Sequence, residues 1–134
     1  MIEVAVAVIT DEQNRMLIAR RKPGKVMAGC WEFPGGKVEP GENPEECLIR
    51  EMKEEMDLKV VIGEYIAEIT YAYKWEDVHL IAYEAHILEG EIKLLDHDAM
   101  AWASLQEMGH YGMTPADEPL IEDLKHWFQN RKQE

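Results

Sequence analysis

Three things are scarce in this sequence: cysteine, positive charge and long apolar runs. Only two cysteines, Cys30 and Cys47, occur among 134 residues, too few for a disulfide framework, so we expect free thiols and a cytoplasmic protein. No segment approaches the ~20 consecutive apolar residues of a membrane span, and the first residues lack the basic region of a signal peptide. A chain of this length is expected to form one domain over residues 1–134.

The scarcity of positive charge limits the possible partners. A formal net charge of −13 disfavours a nucleic-acid polymer, because such binding is dominated by phosphate contacts from Lys and Arg. Basic residues are nevertheless concentrated between Arg20 and Lys37, where five of the 14 occur and only Glu32 is acidic. A basic patch beside an acidic helix fits a small polyphosphate bridged by metal; a solvated basic loop is the alternative.

The clearest predicted element is a helix that begins near residue 43. Asn43 is a suitable N-cap, Pro44 suits the first helical position, and Glu46 lies where a carboxylate closes a capping box. Apolar residues recur every four positions and predict the face that packs on the core. These residues are Leu48, Met52 and Met56.

The remaining segments predict a mixed α/β (α+β) domain with hairpins rather than regular βαβ units. A second capping-box pattern at 104–107 predicts a short helix, and a last helix is predicted to start at Thr114. The core face of that last helix is predicted to be Leu120, Ile121, Leu124, Trp127 and Phe128. Strands are predicted at 4–9, 16–19, 58–62, 65–73 and 78–88, with a brief alternation at 31–33.

Three carboxylates are predicted to share one face of the first helix. Glu51, Glu54 and Glu55 stand at relative positions 0, +3 and +4, which are neighbours on a helical surface. Like charges so close together weaken a helix unless something positive lies among them. Arg50 can neutralise one of these carboxylates, and a hard divalent cation such as Mg²⁺ can neutralise the others. A solvated carboxylate run is the alternative.

The segment 36–58 resembles the Nudix box, written G, five residues, E, seven residues, R-E-U-x-E-E-x-G-U, where U is bulky and apolar. Eight of the nine fixed positions match, and the family glycine is replaced by Asp57, which tolerates the left-handed conformation that ends such a helix. The flanking segments 31–39 and 114–120 are similar to the MutT-type branch of nucleoside triphosphate pyrophosphohydrolases. The matching positions are Gly36, Glu42, Arg50, Glu51, Met52, Glu54, Glu55 and Leu58.

This resemblance implies the Nudix fold, a mixed sheet between helices, and a reaction that needs Mg²⁺ or Mn²⁺. It implies that Glu54 and Glu55 bind metal together with the Gly35 carbonyl. Glu51 in that scheme binds a second metal or positions the attacking water, and which carboxylate is the base stays open. Arg50 is expected to orient Glu51 through a charge-assisted hydrogen bond.

Further ligands are expected outside the box. Lys37, and either Arg20 or Arg21, are the predicted phosphate-binding residues, with Arg favoured for its forked geometry. Asp96 precedes Trp102 by the spacing of a Glu-His element in the family, which makes it a candidate metal ligand. A plain acidic turn is the alternative for Asp96.

Two residues are candidates for binding the base. Phe33 could stack on a base or belong to the core. Asp117 matches a position where the 8-oxo-dGTP enzyme has Asn, and an ionised Asp only accepts hydrogen bonds. An acceptor favours bases with amino or imino donors, such as cytosine N4 or the N1 and N2 edge of guanine. Asp117 could equally cap the helix predicted at Thr114.

These patterns predict a metal-dependent, MutT-like pyrophosphohydrolase that cleaves (8-oxo-)dGTP or a related nucleoside triphosphate to a monophosphate and pyrophosphate. A (d)CTP pyrophosphohydrolase is the alternative within the same class. A catalytically silent nucleotide-binding domain is the alternative from another class, and an RNA-end pyrophosphohydrolase is disfavoured by the net charge. The partner is expected to be the free nucleotide, with no membrane, and the choice between monomer and homodimer stays open.

Overall fold

The computed structural model describes residues 1–132. Within them no helix is both long and apolar enough to cross a membrane. The strands and helices follow in the order β1 (Ile2–Ile9), β2 (Met16–Arg21), β3 (Trp31–Glu32), β4 (Gly35–Lys37), α1 (Pro44–Met56), β5 (Lys59–Ala72), β6 (Asp77–Glu89), β7 (His97–Ala103), α2 (Leu105–Met108) and α3 (Leu120–Lys132).

The strands form two sheets that share the core. The larger has the order β4-β1-β6-β5 and is mixed, because β1 runs parallel to β6 while the other pairs are antiparallel. The smaller is antiparallel and has the order β3-β2-β7. These sheets, with helices on both sides, confirm the predicted fold class.

The residues of β1 alternate between two hydrophobic clusters, as the period of a strand requires. One cluster joins Ala5, Ala7 and Ile9 to the buried side of α1, which consists of Cys47, Leu48, Met52 and Met56. The other joins Val6 and Val8 to α3 through Leu120, Leu124 and Trp127. The central sheet is therefore covered by α1 on one face and by α3 on the other.

Helix α1 begins and ends as the sequence predicts. The side chain of Asn43 accepts from the Glu46 N–H while the Glu46 side chain accepts from the Asn43 N–H, which completes the capping box. Asp57 ends the helix in the left-handed conformation, with φ 54° and ψ 39°. Its carboxylate is held by Lys53 at 2.8 Å and by Lys93 at 3.1 Å, so aspartate replaces the family glycine without loss of the turn.

Several predicted boundaries are wrong. The two strands expected at 58–62 and 65–73 are one strand, β5, interrupted by bulges. Strand β7 and the short strand β4 were not predicted, because a histidine and an aspartate open β7 and two glycines open β4. Helix α3 begins at Leu120 rather than at Thr114. The Thr114 N–H donates to the Trp31 carbonyl at 2.8 Å, so it is not available to a capping box.

Candidate active site

Helix α1 contributes one carboxylate, that of Glu55, to the wall of a cavity of about 500 Å³. Glu55 points furthest inward, and its Oε2 atom is buried without a hydrogen-bond partner. Burial first, and then the charges of Glu51 and Glu32, raise the pKa of Glu55 to about 9. A buried carboxyl among other carboxylates is unfavourable as an anion unless a cation lies beside it.

Arg50 forms hydrogen bonds with Glu51 and Glu54 of α1 and with Glu42 of the preceding loop. It makes a forked pair with Glu42, from Nη2 to Oε1 at 2.7 Å and from Nε to Oε2 at 3.0 Å. Its Nη1 donates to Glu51 at 2.7 Å and to Glu54 at 3.2 Å, and its Nη2 donates to the Lys37 carbonyl at 3.1 Å. These contacts raise the pKa of Arg50 and lower the pKa of Glu42 to about 2. Arg50 therefore links Glu42 and the Lys37 carbonyl to α1, and its hydrogen bond to Glu51 is the contact that was expected for it.

Strand β4 lies against α1 because its first two residues have no side chain. Gly35 pairs with Val6 of β1, and a Cβ at Gly35 would lie 2.0 Å from the Ala5 carbonyl oxygen. A Cβ at Gly36 would lie 2.5 Å from the Glu51 carboxyl carbon. The two glycines thus allow the backbone to approach both the sheet and the carboxylate face.

The donor set fits a hard divalent cation. Oxygen ligands are what Mg²⁺ prefers, and the buried, unpartnered Oε2 of Glu55 is the observation that calls for one. Among residues 1–131, whose side chains the structure describes, no three His, Cys, Asp or Glu side chains converge closely enough to enclose an ion. Glu51 and Glu54 are paired with Arg50, and Asp96 is paired with two lysines.

Of the predicted phosphate-binding residues, Arg21 and Lys37 line the cavity and Arg20 does not. Arg20 is paired with Asp98 at 2.7 Å and lies over the Trp31 ring at 5.8 Å. Arg21 donates to Glu32 at 3.0 Å. Of the two arginines left open by the sequence, the structure thus brings only Arg21 to the cavity.

The far end of the cavity is the candidate base site. Asp117 is buried, and its Oδ2 accepts from the Phe33 N–H at 2.8 Å. Burial first, and then the charge of Glu32, raise the pKa of Asp117 to about 7. The capping box predicted for Asp117 does not form, because α3 begins at Leu120 and the Thr114 N–H donates to the Trp31 carbonyl. The Phe33 ring is only 1% exposed, so in this conformation it belongs to the core while its edge contributes to the cavity wall.

Sequence reasoning missed two sets of residues in the cavity wall. Tyr73 and Trp75, from the β5–β6 hairpin, stack at 4.9 Å between ring centroids and 14° between planes. Glu32 is tied to the buried His97, with His97 Nε2 at 2.9 Å from Oε2. Glu32 lines the cavity, and its charge raises the pKa of both Glu55 and Asp117. Its isolated position in the basic segment was the signal that could have identified it.

Comparison with known proteins agrees with this arrangement. The NUDIX domain matches residues 1–124. The chain belongs to the NUDIX family. Its match spans β1 to the first turns of α3, and therefore includes every element that lines the cavity.

Among NUDIX proteins, the CTP pyrophosphohydrolase of Escherichia coli K12 is 38% identical over 122 residues, which covers 91% of this chain and 90% of that protein. The 8-oxo-dGTP diphosphatase of the same organism is 32% identical over 124 residues and covers 92% and 96%. The solution structure of the E. coli ORF135 protein has a TM-score of 0.84 at 36% identity, covering 98% of this chain and 93% of that one. The MutT protein of Methanosarcina mazei Go1 also has a TM-score of 0.84, at 25% identity and with 98% and 95% covered.

Proposed function

We propose that this NUDIX protein is a metal-dependent nucleoside triphosphate pyrophosphohydrolase of the MutT type. The observation that carries the proposal is the buried, unpartnered carboxylate oxygen of Glu55 at one end of a cavity whose other end combines the aromatic side chains of Tyr73 and Trp75 with Asp117. A polyphosphate with its metal suits the first end and a base suits the second. The E. coli relatives that act on CTP and on 8-oxo-dGTP support the same reaction class.

In this reaction water adds to one of the two phosphorus atoms joined by the α–β phosphoanhydride, the bond from that phosphorus to the bridging oxygen breaks, and the products are the nucleoside monophosphate and pyrophosphate. Glu51, Glu54, Glu55, the Gly35 carbonyl and Asp96 are the proposed ligands of Mg²⁺, for which Mn²⁺ can substitute. When bound, such a cation neutralises phosphate charge and lowers the pKa of coordinated water. Arg50 orients Glu51, and Arg21 and Lys37 face the phosphates. The proton of the attacking water passes to one of the three glutamates, Glu51, Glu54 or Glu55, and the choice among them stays open.

The base end supports a substrate with amino or imino donors. Asp117 and Glu32 both line the cavity, and the Tyr73–Trp75 stack offers an aromatic surface in the same wall. Guanine and cytosine both carry donors that match such acceptors. We therefore propose (8-oxo-)dGTP or a related nucleotide as substrate, with (d)CTP as the second candidate. The expected location is the cytoplasm, where free nucleotides are available.

The activity is tested with a panel of 8-oxo-dGTP, dGTP, dCTP and CTP, with pyrophosphate release measured in Mg²⁺. We expect one nucleotide to be turned over well above the rest. Glu54→Gln is expected to lower that rate about a hundredfold, equivalent to about 3 kcal/mol of barrier, because one oxygen donor loses its charge. Glu91→Gln, an exposed glutamate outside the cavity, is the control and should not change the rate.

Two results would contradict this proposal. Undiminished turnover by Glu54→Gln would remove that residue from the metal site. Tight nucleotide binding without release of pyrophosphate from any member of the panel would favour the catalytically silent alternative.

The titration of Asp117 predicts a pH-dependent stability. Because its pKa is about 7 in the folded protein and 3.8 ordinarily, the folded state binds a proton that the unfolded state releases between about pH 4 and 7. The free energy of unfolding therefore falls as pH rises through that window. Asp117→Asn does not titrate, so its stability relative to wild type should increase from pH 5 to pH 8, by up to about 3 kcal/mol.

Urea denaturation of both proteins at pH 5 and pH 8 measures this difference. The asparagine retains a carbonyl oxygen for the Phe33 N–H, so the hydrogen bond itself is preserved. A difference between the two proteins that is the same at both pH values would show that Asp117 is ionised in the folded state throughout.

A further inference from the structure

Asp96 in the cavity wall is held between two lysines from one tight turn. The Lys25 N–H donates to the Lys22 carbonyl at 3.3 Å, which brings the two side chains together. Lys25 Nζ lies 3.1 Å from Asp96 Oδ2, and Lys22 Nζ lies 3.4 Å from Oδ1. Burial raises the pKa of Asp96, but the contacts with Lys25 and then Lys22 outweigh it and lower the pKa overall.

Lys25 is one of few cations available to a substrate in this cavity. Within residues 1–131, the cationic side chains that line it are Arg21, Lys25 and Lys37. Arg21 is already paired with Glu32 at 3.0 Å. Lys25 lines the cavity whereas Lys22 does not, and the Lys25 side chain is 39% exposed. An incoming anion can therefore reach Lys25 without displacing the core.

We propose that Lys25 changes partner during substrate binding: it holds Asp96 when the site is free and binds the phosphates of the nucleotide when the substrate arrives. This inference rests on the proposed function. The ammonium group passes from a carboxylate to a phosphate, and the Asp96 carboxylate is released toward the divalent cation that accompanies the phosphates. Both charges keep an opposite partner throughout, which avoids the cost of an unpaired charge in a half-buried site.

This exchange predicts opposite effects of one substitution on two ligands. Lys25→Ala removes a phosphate contact, so KM for the preferred nucleotide should rise about tenfold, as expected for one hydrogen bond between charged groups. The same change removes a competitor for Asp96. Mn²⁺ alone, without nucleotide, should therefore bind the variant several-fold more tightly than wild type. Titration of Mn²⁺ followed by electron paramagnetic resonance measures this second effect independently of turnover.

The chain contains a matched control. Asp57 is also held between two lysines, Lys53 and Lys93, but at the end of α1 and away from the cavity. Lys93→Ala should leave both KM and Mn²⁺ affinity at their wild-type values. Lys25→Arg keeps the positive charge and should recover most of the loss in KM.

The outcomes separate this inference from the proposed function. If wild type hydrolyses a nucleotide but Lys25→Ala has unchanged KM and unchanged or weaker Mn²⁺ binding, the exchange is overturned while the activity stands. If wild type hydrolyses no nucleotide in the panel, the proposed function fails. In that case, tighter Mn²⁺ binding by Lys25→Ala would still support the inference that the Lys25 ammonium group competes with the cation for Asp96. A raised KM together with weaker Mn²⁺ binding would indicate a general disturbance of the site and would also overturn the exchange.

Discussion

Glu55→Gln is expected to abolish turnover while making the metal-free protein more stable. The activity should fall by roughly a thousandfold, equivalent to about 4 kcal/mol of barrier, because the innermost carboxylate can no longer neutralise a cation. The stability should rise because the pKa of Glu55 is about 9 in the folded protein against 4.5 ordinarily. Between those values the folded state binds a proton that the unfolded state releases, so the free energy of unfolding falls as pH increases.

A glutamine at this position does not titrate and escapes that loss. At pH 7 and without metal, the variant should be more stable by roughly 2–3 kcal/mol, measured as the midpoint of thermal unfolding in a chelator. Added Mg²⁺ should raise the midpoint of wild type by mass action and leave that of the variant unchanged. A variant that unfolds at a lower temperature than wild type in chelator would show that Glu55 is not under electrostatic strain. Glu91→Gln should match wild type in every condition.

Gly35→Ala is expected to damage the fold itself. The added Cβ would lie 2.0 Å from the Ala5 carbonyl oxygen and 2.9 Å from the Val6 Cα, and both of these are backbone atoms that cannot rotate away. The φ of +157° adds strain for any residue with a side chain. We expect a loss of about 4 kcal/mol or more, which is a large part of the stability of a domain this size.

Thermal unfolding and turnover together measure the consequence. If β4 merely separates from β1, the protein is expected to remain folded but to lose activity, because β1 no longer fixes the position of the Gly35 carbonyl, a proposed metal ligand. Gly112→Ala is the matched control, since no atom lies within 4 Å of its added Cβ. Wild-type unfolding and wild-type activity in Gly35→Ala would contradict the close pairing of β4 with β1.

The local features of α1 could be predicted because their causes lie within a few residues. The capping box of Asn43 and Glu46, the buried stripe and the left-handed Asp57 all depend on contacts within one or two helical turns. The carboxylate face follows from the same helical spacing. The strand ends and the start of α3 could not be predicted so well, because the Thr114 N–H has its partner at Trp31, far away in the sequence.

The choice between alternative roles depended on contacts that join distant segments. Asp117 accepts from the Phe33 N–H, which is 84 residues away, and no periodicity indicates such a pair. Arg20 and Arg21 are adjacent in the sequence, but their side chains diverge, one toward Asp98 and the other toward Glu32. A pattern of residues cannot tell which of two neighbours on a strand faces a cavity unless the partner strand is known.

By itself, the sequence determined the family resemblance, the helix that carries the proposed metal-binding carboxylates and the class of bond that is broken. These properties follow from residue types at short spacings, where helical geometry places them. Only the tertiary structure decided which arginine reaches the cavity, that Glu55 is the strained carboxylate, and that Lys25 holds Asp96. Those properties depend on burial and on charges brought together from separate strands, and the electrostatic effect of a charge depends on its distance and surroundings in the folded protein.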